Sequence, residues 1–327
     1  MRIFLIFLYF FAISLFSSIQ VFAAKILIIE SYHKTFQWDK LYTTALKDVL
    51  GKKHKLYFFR MDTKRISPIN ISKRADLAWS KYQKIKPDYV VLGDDNALMF
   101  LGERLGKTDT PVIFLGINGN PTHYFADKRL PANITGVLER PHIADSMKKV
   151  KMLIPELKRV LILFDNGHTS KALLGNVMRE LNSINKKELE YDFKFIQKKS
   201  EWVETVSKAK ANGYGAIFLG TYHTITDKNN RHVPSINLAR WTSAKSEIPV
   251  FGFWSIAVGK GKAIGGIVLD GYNQGFAAAQ MVNEVIAGKK PPVLRSSKGL
   301  YLYSRSELER WNIKLPLALE KKATFVD

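Results

Sequence analysis

The chain alternates short apolar runs with longer amphipathic segments. Each run is rich in Val, Ile, Leu or Phe, ends near Gly, Asp, Asn or Ser, and is followed by a segment of helical length. This alternation is typical of parallel strands joined by crossover helices. Eight clear runs form two groups of four: Lys25–Ile29, Leu56–Arg60, Tyr89–Leu92 and Val112–Leu115, then Val160–Phe164, Phe193–Ile196, Ala216–Leu219 and Val250–Phe253. The sequence therefore predicts an α/β protein with two doubly wound parallel-sheet lobes.

The connections between the groups predict how the lobes are joined. An extended piece, Ile134–Glu139, would carry the chain from the first lobe into the second. A further strand, Gly266–Asp270, and a long helix, Gly271–Gly288, follow after both groups are complete, which indicates a return to the first lobe. A last crossing would lead back to the second lobe. Three hinge crossings make a clamshell, with residues 24–138 and 267–296 in the first lobe and 139–266 and 297–327 in the second.

The first 23 residues are predicted to be a cleaved signal peptide. Arg2 precedes the apolar run Ile3–Phe16, and Val21-Phe22-Ala23 has the small side chains that a signal peptidase selects. We expect cleavage after Ala23 and a periplasmic mature chain. The alternative is an uncleaved membrane anchor, because about 20 apolar residues can cross a bilayer. The chain has no Cys, which excludes disulfides, a thiolate site and a lipoprotein anchor.

The chain is strongly basic, with 50 Lys and Arg against 29 Asp and Glu and a net charge of +21. Nucleic acid is the usual partner of a basic chain, but an exported protein rarely meets it. The basic residues are also scattered in pairs without one dense tract. We interpret them as solvated helix ends and faces and expect no nucleic-acid partner. Attraction to anionic membrane or envelope polymers is the alternative.

Candidate binding residues lie at the predicted strand ends, because open parallel sheets bind ligands beyond the carboxyl ends of their strands. These ends are rich in aromatic, amide, hydroxyl and carboxylate groups, a mixture that suits a small polar ligand with an apolar part. The candidates are Ser31, Tyr32, Trp38, Asp94, Asp95, Asn96, Asn118, His168, Thr169, Tyr222, Trp254, Asp270 and Tyr272.

Two of these candidates carry a specific hypothesis about the ligand. The clamshell should bring Asp94 and Asp270 towards one cleft, where a desolvated carboxylate requires a hydrogen-bond donor or a cation in return. An amine-bearing ligand would supply it. The alternative is that both aspartates cap helices, as Asp95 and Asn96 also could, and Trp38 could equally belong to the core.

Enzymatic activity is not expected from the motifs. The chain has no Gly-x-Ser-x-Gly elbow, no phosphate-binding loop and no His-x-x-x-His pair. Three histidines at strand ends could join Asp94 or Asp270 in a metal or hydrolytic site, although each alone is typical of a polar loop. These histidines are His33, His168 and His223. We expect a monomeric binding protein without metal or cofactor.

Five motifs in consistent order resemble the substrate-binding-protein family of ABC transporters. The motifs are Ser31-Tyr32-His33 with Trp38, Arg60–Arg65, Gly93–Ala97, Pro111–Asn118 and Thr135–Glu139. The resemblance implies a type I periplasmic-binding-protein fold and a small-molecule ligand between the lobes, with Ser31, Tyr32, Asp94, Asn96, Asn118 and Glu139 on the first-lobe side. Some relatives are similar to importers of aromatic amino acids.

The resemblance leaves two roles open. The protein could deliver its ligand to the membrane permease of an ABC importer. The same motifs are similar to the sensor modules of bacterial signalling kinases, so the alternative is a soluble periplasmic sensor that docks on a membrane receptor.

Overall fold

A computed structural model describes residues 23–289, 295–296 and 298–327. Residues 1–22 of the predicted signal peptide lie outside the described residues, as do residues 290–294 and 297.

The first sheet has six strands in the order β11-β5-β4-β3-β1-β2, and all of its pairings are parallel. Its strands are β1 (Lys25–Glu30), β2 (Lys55–Arg60), β3 (Tyr89–Gly93), β4 (Val112–Ile117), β5 (Ile134–Leu138) and β11 (Arg295–Ser296). The central strands are buried along almost their whole length, as expected when helices cover both faces. The extended piece predicted at Ile134–Glu139 is therefore an integral strand of this sheet.

The second sheet has four parallel strands in the order β7-β6-β8-β9. They are β6 (Arg159–Asp165), β7 (Glu190–Ile196), β8 (Ala216–Leu219) and β9 (Val250–Gly252). All eight predicted strands are present within a few residues of their predicted ends, which confirms the two parallel-sheet lobes.

Helices cover the sheets in the order that the sequence predicts. They are α1 (Gln37–Leu50), α2 (Pro68–Ile85), α3 (Asp94–Leu105), α4 (Ile143–Leu153), α5 (His168–Leu181), α6 (Lys199–Ser207), α7 (Ser235–Lys245), α8 (Gly271–Ile286), α9 (Arg305–Arg310) and α10 (Leu317–Glu320). Two short 3-10 helices span Pro121–Tyr124 and Ser255–Ala257.

Helix α8 packs against α1 and against strands β4 and β5. The approach is close because Gly275 has no side chain: a Cβ there would lie 2.3 Å from the carbonyl oxygen of Tyr42. The small residues Ala278 and Ala279 are fully buried along the same helix. The chain thus returns to the first sheet after completing the second, while the residue limits of the two lobes stay a prediction.

A third, three-stranded sheet was not predicted. It contains β10 (Gly265–Val268), β12 (Leu300–Tyr303) and β13 (Thr324–Phe325), and β10 pairs with β12 in antiparallel direction. The strand expected at Gly266–Asp270 therefore does not extend the first sheet. Glycine permits this pairing, because Gly265 has a φ of 121° and a Cβ there would lie 2.0 Å from the carbonyl oxygen of Leu302.

Two negative findings apply to the described residues alone. No helix within residues 23–289 or 298–327 combines the length and apolarity that crossing a bilayer requires. The same part of the chain holds no cluster of three or more His, Cys, Asp or Glu side chains arranged to bind a metal ion.

Candidate functional site

The carboxyl ends of the two parallel sheets face each other around a small space, which we name the chamber. Seven predicted site residues line it: Tyr32, Trp38, Asp94, Asn118, Glu139, Thr169 and Trp254. Phe36, Lys64, Thr221, His223 and Ile256 complete the wall. Its volume is about 30 Å³, above the roughly 10–15 Å³ that a cavity needs to hold one water molecule. The space left in the chamber in this state is therefore small.

The loop after β1 is tied to the start of α3. The Ser31 hydroxyl donates to the Gly93 carbonyl at 2.6 Å and accepts from the backbone N–H of Ala97 at 2.9 Å. Ser31 is fully buried and does not line the chamber, so its role is to hold this loop in position. The next residue, Tyr32, donates its backbone N–H to Asp39 Oδ2 at 3.2 Å and turns its ring towards the chamber.

Asp94 presents a buried carboxylate to the chamber. Its backbone is left-handed, with a φ of 68°, and its side chain is 2 % exposed. Among the described residues no donor bonds Oδ2, and the N-cap of α3 is Gly93, not Asp94. Burial raises the pKa of Asp94 well above its usual range, and the nearby carboxyls of Asp39 and Glu139 raise it further. Asp94 therefore does not serve as a helix cap.

Asp95 holds the loop after β4. Its carboxylate accepts from the Asn118 side chain at 3.0 Å, the backbone N–H of Gly119 at 3.1 Å and the Tyr124 hydroxyl at 2.7 Å. These bonds occupy Asp95 and aim Asn118 at the chamber. Asn118 Oδ1 is buried and has no donor within the described part of the chain.

Glu139 joins the two sheets across the chamber. Its Oε1 accepts the indole N–H of Trp254, and its Oε2 accepts from Asn118 Nδ2 at 3.3 Å. Burial raises the pKa of Glu139 to about 8, against the opposing hydrogen bond from Trp254. This carboxyl therefore changes charge near neutral pH.

The second-sheet wall is organised by Asp165, at the end of β6. Its Oδ1 accepts from the Ser170 hydroxyl at 2.5 Å and from Thr221 Oγ1 at 3.2 Å. Its Oδ2 accepts the backbone N–H groups of His223 at 2.6 Å and Thr224 at 2.9 Å. One carboxylate thus fixes the loops after β6 and β8 together.

Direct contacts close the chamber between the sheets. The Tyr32 hydroxyl lies 3.4 Å from Thr169 Oγ1, and the Phe36 and His223 rings meet edge to face at 5.2 Å. Nearby, Asn176 Nδ2 donates to the Asn118 carbonyl at 2.9 Å. The two halves of the site are therefore in contact in this structure.

Lys64 fills part of the chamber with its ammonium group. Its Nζ lies 3.9 Å from the ring centroid of Tyr32 and 4.0 Å from that of Phe36, a cation–π arrangement on two faces. Burial lowers the pKa of Lys64, while the carboxylates of Asp94 and Asp165 oppose that shift. Within the described residues, no carboxylate oxygen approaches Nζ to ion-pair distance.

A much larger cavity, of about 850 Å³, adjoins the chamber, and we name it the outer cavity. Phe36, Lys64, His223 and Ile256 line both spaces. The predicted residues Tyr222, Asp270 and Tyr272 line the outer cavity only.

Asp94 and Asp270, which the sequence predicts to approach one cleft, line two adjoining spaces: Asp94 lines the chamber and Asp270 the outer cavity. Asp270 is the N-cap of α8 and accepts the backbone N–H of Asn273 at 3.1 Å, as the capping alternative predicted. Tyr272 donates to Asp48 Oδ2 at 3.1 Å on the exposed side. Asp270 directly precedes α8 and Tyr272 lies in its first turn, and both line the outer cavity and not the chamber.

Three other predicted residues, together with Thr169, border a third cavity of about 340 Å³: Asp95, Asn96 and His168. Asn96 Nδ2 donates to Thr63 Oγ1 at 2.7 Å, so it braces the loop after β2. Thr169 lines this cavity and the chamber, which places the start of α5 between the two spaces.

Sequence reasoning missed Phe36, Lys64, Asp39 and Asp165 as site residues. Lys64 and Asp165 follow predicted strands and could have been found by the same strand-end rule. Phe36 and Asp39 lie in the segment between β1 and the body of α1, and their spacing carries no signal that separates them from core or capping positions.

Three solved structures share this fold over nearly the whole chain. An ABC domain from Streptococcus pneumoniae in complex with L-Trp has 18% identity and a TM-score of 0.68, covering 93% of this chain and 99% of its own. A ligand-free, open substrate-binding protein with adhesive properties from Clostridium difficile has 14% identity and a TM-score of 0.66 at the same coverage. A conserved domain protein from Vibrio cholerae has 16% identity, a TM-score of 0.66 and the same coverage.

These likenesses show a type I periplasmic-binding-protein clamshell. No curated protein sequence matches the chain. The family model described as ABC transporter substrate binding protein matches residues 103–326, which is more than half of the sequence. The chain therefore belongs to the family of ABC transporter substrate-binding proteins.

Proposed function

We propose that this protein captures a small amine-bearing ligand in the chamber, in the periplasm, and delivers it to the permease of an ABC importer. The observation that carries the ligand class is the carboxylate of Asp94, which is buried beside aromatic rings while its Oδ2 accepts no hydrogen bond from the described residues. A buried acceptor of this kind is costly unless a donor or cation reaches it.

The surrounding groups favour an amine over an acid. Glu139 adds a second carboxyl, and Asn118 Oδ1 adds a second acceptor that is buried without a donor from the described chain. An ammonium group can satisfy several acceptors at once because it carries three donors. The faces of Tyr32 and Trp38 supply apolar and cation–π contact.

An aromatic or aliphatic body attached to the amine fits the same arrangement. The outer cavity of about 850 Å³ lies in the range of small-molecule pockets, and it opens beside the chamber at Phe36 and Ile256. The pneumococcal neighbour is described in complex with L-Trp, and L-tryptophan is therefore one probe to include.

The ligand class is tested by thermal-shift titration of the mature protein with matched pairs of compounds. Tryptamine and L-tryptophan are compared with indole-3-propionate, which has a similar body and a carboxylate in place of the amine. A ligand that binds only the folded state raises Tm with the logarithm of its concentration. We expect such a rise with the amines. A rise with indole-3-propionate alone would contradict the proposal.

The delivery role is tested separately in cells. Deletion of the chain should abolish high-affinity uptake of the ligand, and restoring it should recover uptake. Unchanged uptake, together with a lost transcriptional response to the ligand, would favour the periplasmic sensor instead.

A further inference from the structure

We propose that Lys64 is a built-in occupant of the amine subsite, which the ligand displaces from the chamber when it binds. This inference rests on the proposed amine-bearing ligand and states which group occupies the amine subsite when that ligand is absent.

The position of the Lys64 ammonium is that expected of an amine ligand. Nζ lies over the faces of Tyr32 and Phe36, at 3.9 and 4.0 Å from the ring centroids. Burial lowers the pKa of Lys64, and attraction to Asp94, Asp165 and Asp39 opposes that shift. A tethered alkylammonium thus occupies the place that an amine-bearing ligand would take, between aromatic faces and carboxylates.

The contacts of Lys64 are incomplete, which makes it displaceable. Among the described residues, no Asp or Glu oxygen lies within ion-pair distance of Nζ, and Asp94 Oδ2 accepts no hydrogen bond. A free ammonium has no backbone tether and can approach Asp94 and Asn118 directly. Charge-assisted hydrogen bonds of that type are about twice as strong as neutral ones. The ligand therefore gains contacts that Lys64 does not make.

Binding of a second ammonium group in the chamber requires Lys64 to move. The Lys64 ammonium already lies in this small space of about 30 Å³, and two like charges placed there together would repel each other. Lys64 also lines the outer cavity of about 850 Å³, so its flexible stem can swing into that space without breaking an ion pair. Phe36 and His223 border the same opening.

The alternative role for Lys64 is direct binding of an anionic group of the ligand. The two roles differ in the sign of one measurement. An occupant competes with the ligand, so its removal raises the affinity of the site for amines. A ligand-binding lysine contributes to affinity, so its removal lowers it.

The test uses the mature protein with Lys64→Ala and the lysine side-chain analogue n-butylammonium. The variant exposes a lysine-shaped space lined by the same carboxylates, so n-butylammonium should bind it and raise Tm by about 2 °C or more at saturating concentration. The wild-type chain should not respond, because Lys64 already fills the site. n-Butanol is the control for the uncharged alkyl chain, and NaCl at the same ionic strength is the control for the effect of salt.

Lys34→Ala is the matched control variant, because Lys34 is an exposed lysine of the neighbouring loop after β1 and lines none of the described cavities. It should behave like the wild type. Lys64→Ser repeats the test with a small polar residue. If either Lys64 variant is unstable alone, n-butylammonium should restore its cooperative melting.

An equal response of wild type and both Lys64 variants, or no response of either variant, would overturn the assignment. Lower affinity of Lys64→Ala for an amine that binds the wild type would overturn it as well, whereas a gain of ten-fold or more is expected. The n-butylammonium experiment needs no natural ligand. A wild-type chain that binds neither tryptamine nor L-tryptophan therefore contradicts the proposed function alone, and a Lys64→Ala variant that does not respond to n-butylammonium contradicts the role of Lys64 alone.

Discussion

Trp254 donates its indole N–H to Oε1 of Glu139, 115 residues earlier in the chain. This hydrogen bond links the loop after β9 of the second sheet to the end of β5 in the first sheet. Since both residues line the chamber, the same contact holds the halves of the site together and keeps a carboxyl in place beside the ligand space.

The raised pKa of Glu139 predicts a pH dependence of stability. The pKa rises from 4.5 to about 8 on folding, so between these values the folded state retains a proton that the unfolded state releases. The free energy of unfolding of the ligand-free protein therefore falls as pH rises through this window. Asp94 and Asp39 contribute in the same direction, because burial raises their pKa values too.

Urea denaturation between pH 5 and 9 measures this slope. Glu139→Gln keeps an acceptor for Trp254 but does not titrate, so its stability should fall less steeply than that of the wild type. The slope does not vanish, since Asp94 and Asp39 remain. A variant as steep as the wild type would show that Glu139 is not the titrating group.

The variants Asp94→Asn and Asp270→Asn should distinguish a carboxyl group that binds the ligand, at Asp94, from one that caps a helix, at Asp270. Asn at position 94 cannot ionise beside a bound ammonium as the Asp94 carboxyl can, and we expect a loss of about 2 kcal/mol or more in binding an amine. Asn caps a helix nearly as well as Asp, so Asp270→Asn should change neither Tm nor affinity appreciably. Isothermal titration calorimetry of both variants measures the difference. Equal losses in the two variants contradict the assignment.

Asp165→Asn should destabilise the protein and weaken binding together. The carboxylate accepts from backbone and hydroxyl donors on both oxygens, and an amide group would turn two hydrogens towards one set of those donors. We expect a cost of about 1–3 kcal/mol in the free energy of unfolding. Asp192→Asn is a suitable control, because Asp192 pairs with Arg159 at the exposed start of the second sheet, far from the chamber. A more stable Asp165→Asn protein would contradict the organising role.

The export signal predicts a soluble mature protein whose first residue is Ala24. Amino-terminal sequencing of the protein recovered from the periplasm checks this result. Recovery of Met1 from a membrane fraction would support the uncleaved anchor instead.

The two parallel sheets could be predicted because their strands are continuous apolar runs bounded by polar turns. The strand-end rule then placed six of its thirteen candidate residues at the chamber, among them Asp94, Asn118 and Trp254. Both inferences depend on local sequence patterns, namely apolar runs and the polar residues that follow them, and the same residues form the strands and the strand ends of the folded protein.

The sequence pattern could not distinguish residues that both precede a helix but whose side chains point in different directions. Asp94 and Asp270 both precede helices, yet a left-handed backbone turns Asp94 inward, whereas Asp270 folds back on its own helix. The antiparallel pairing of β10 depends on two glycines that adopt positive φ, which no hydrophobic pattern reports. The role of Lys64 depends on ring faces contributed by distant loop residues.

The backbone of Asp94 has a consequence for protein engineering. A φ of 68° is accessible to Gly, Asn and Asp but strained for most other residues. Lengthening the side chain to Glu, or replacing it with a branched or aromatic residue, would therefore combine a change of ligand chemistry with a backbone penalty. A designer who wants a biosensor with altered ligand charge should vary Glu139 or Lys64, where the backbone leaves the choice of amino acid open, and keep position 94 as it is.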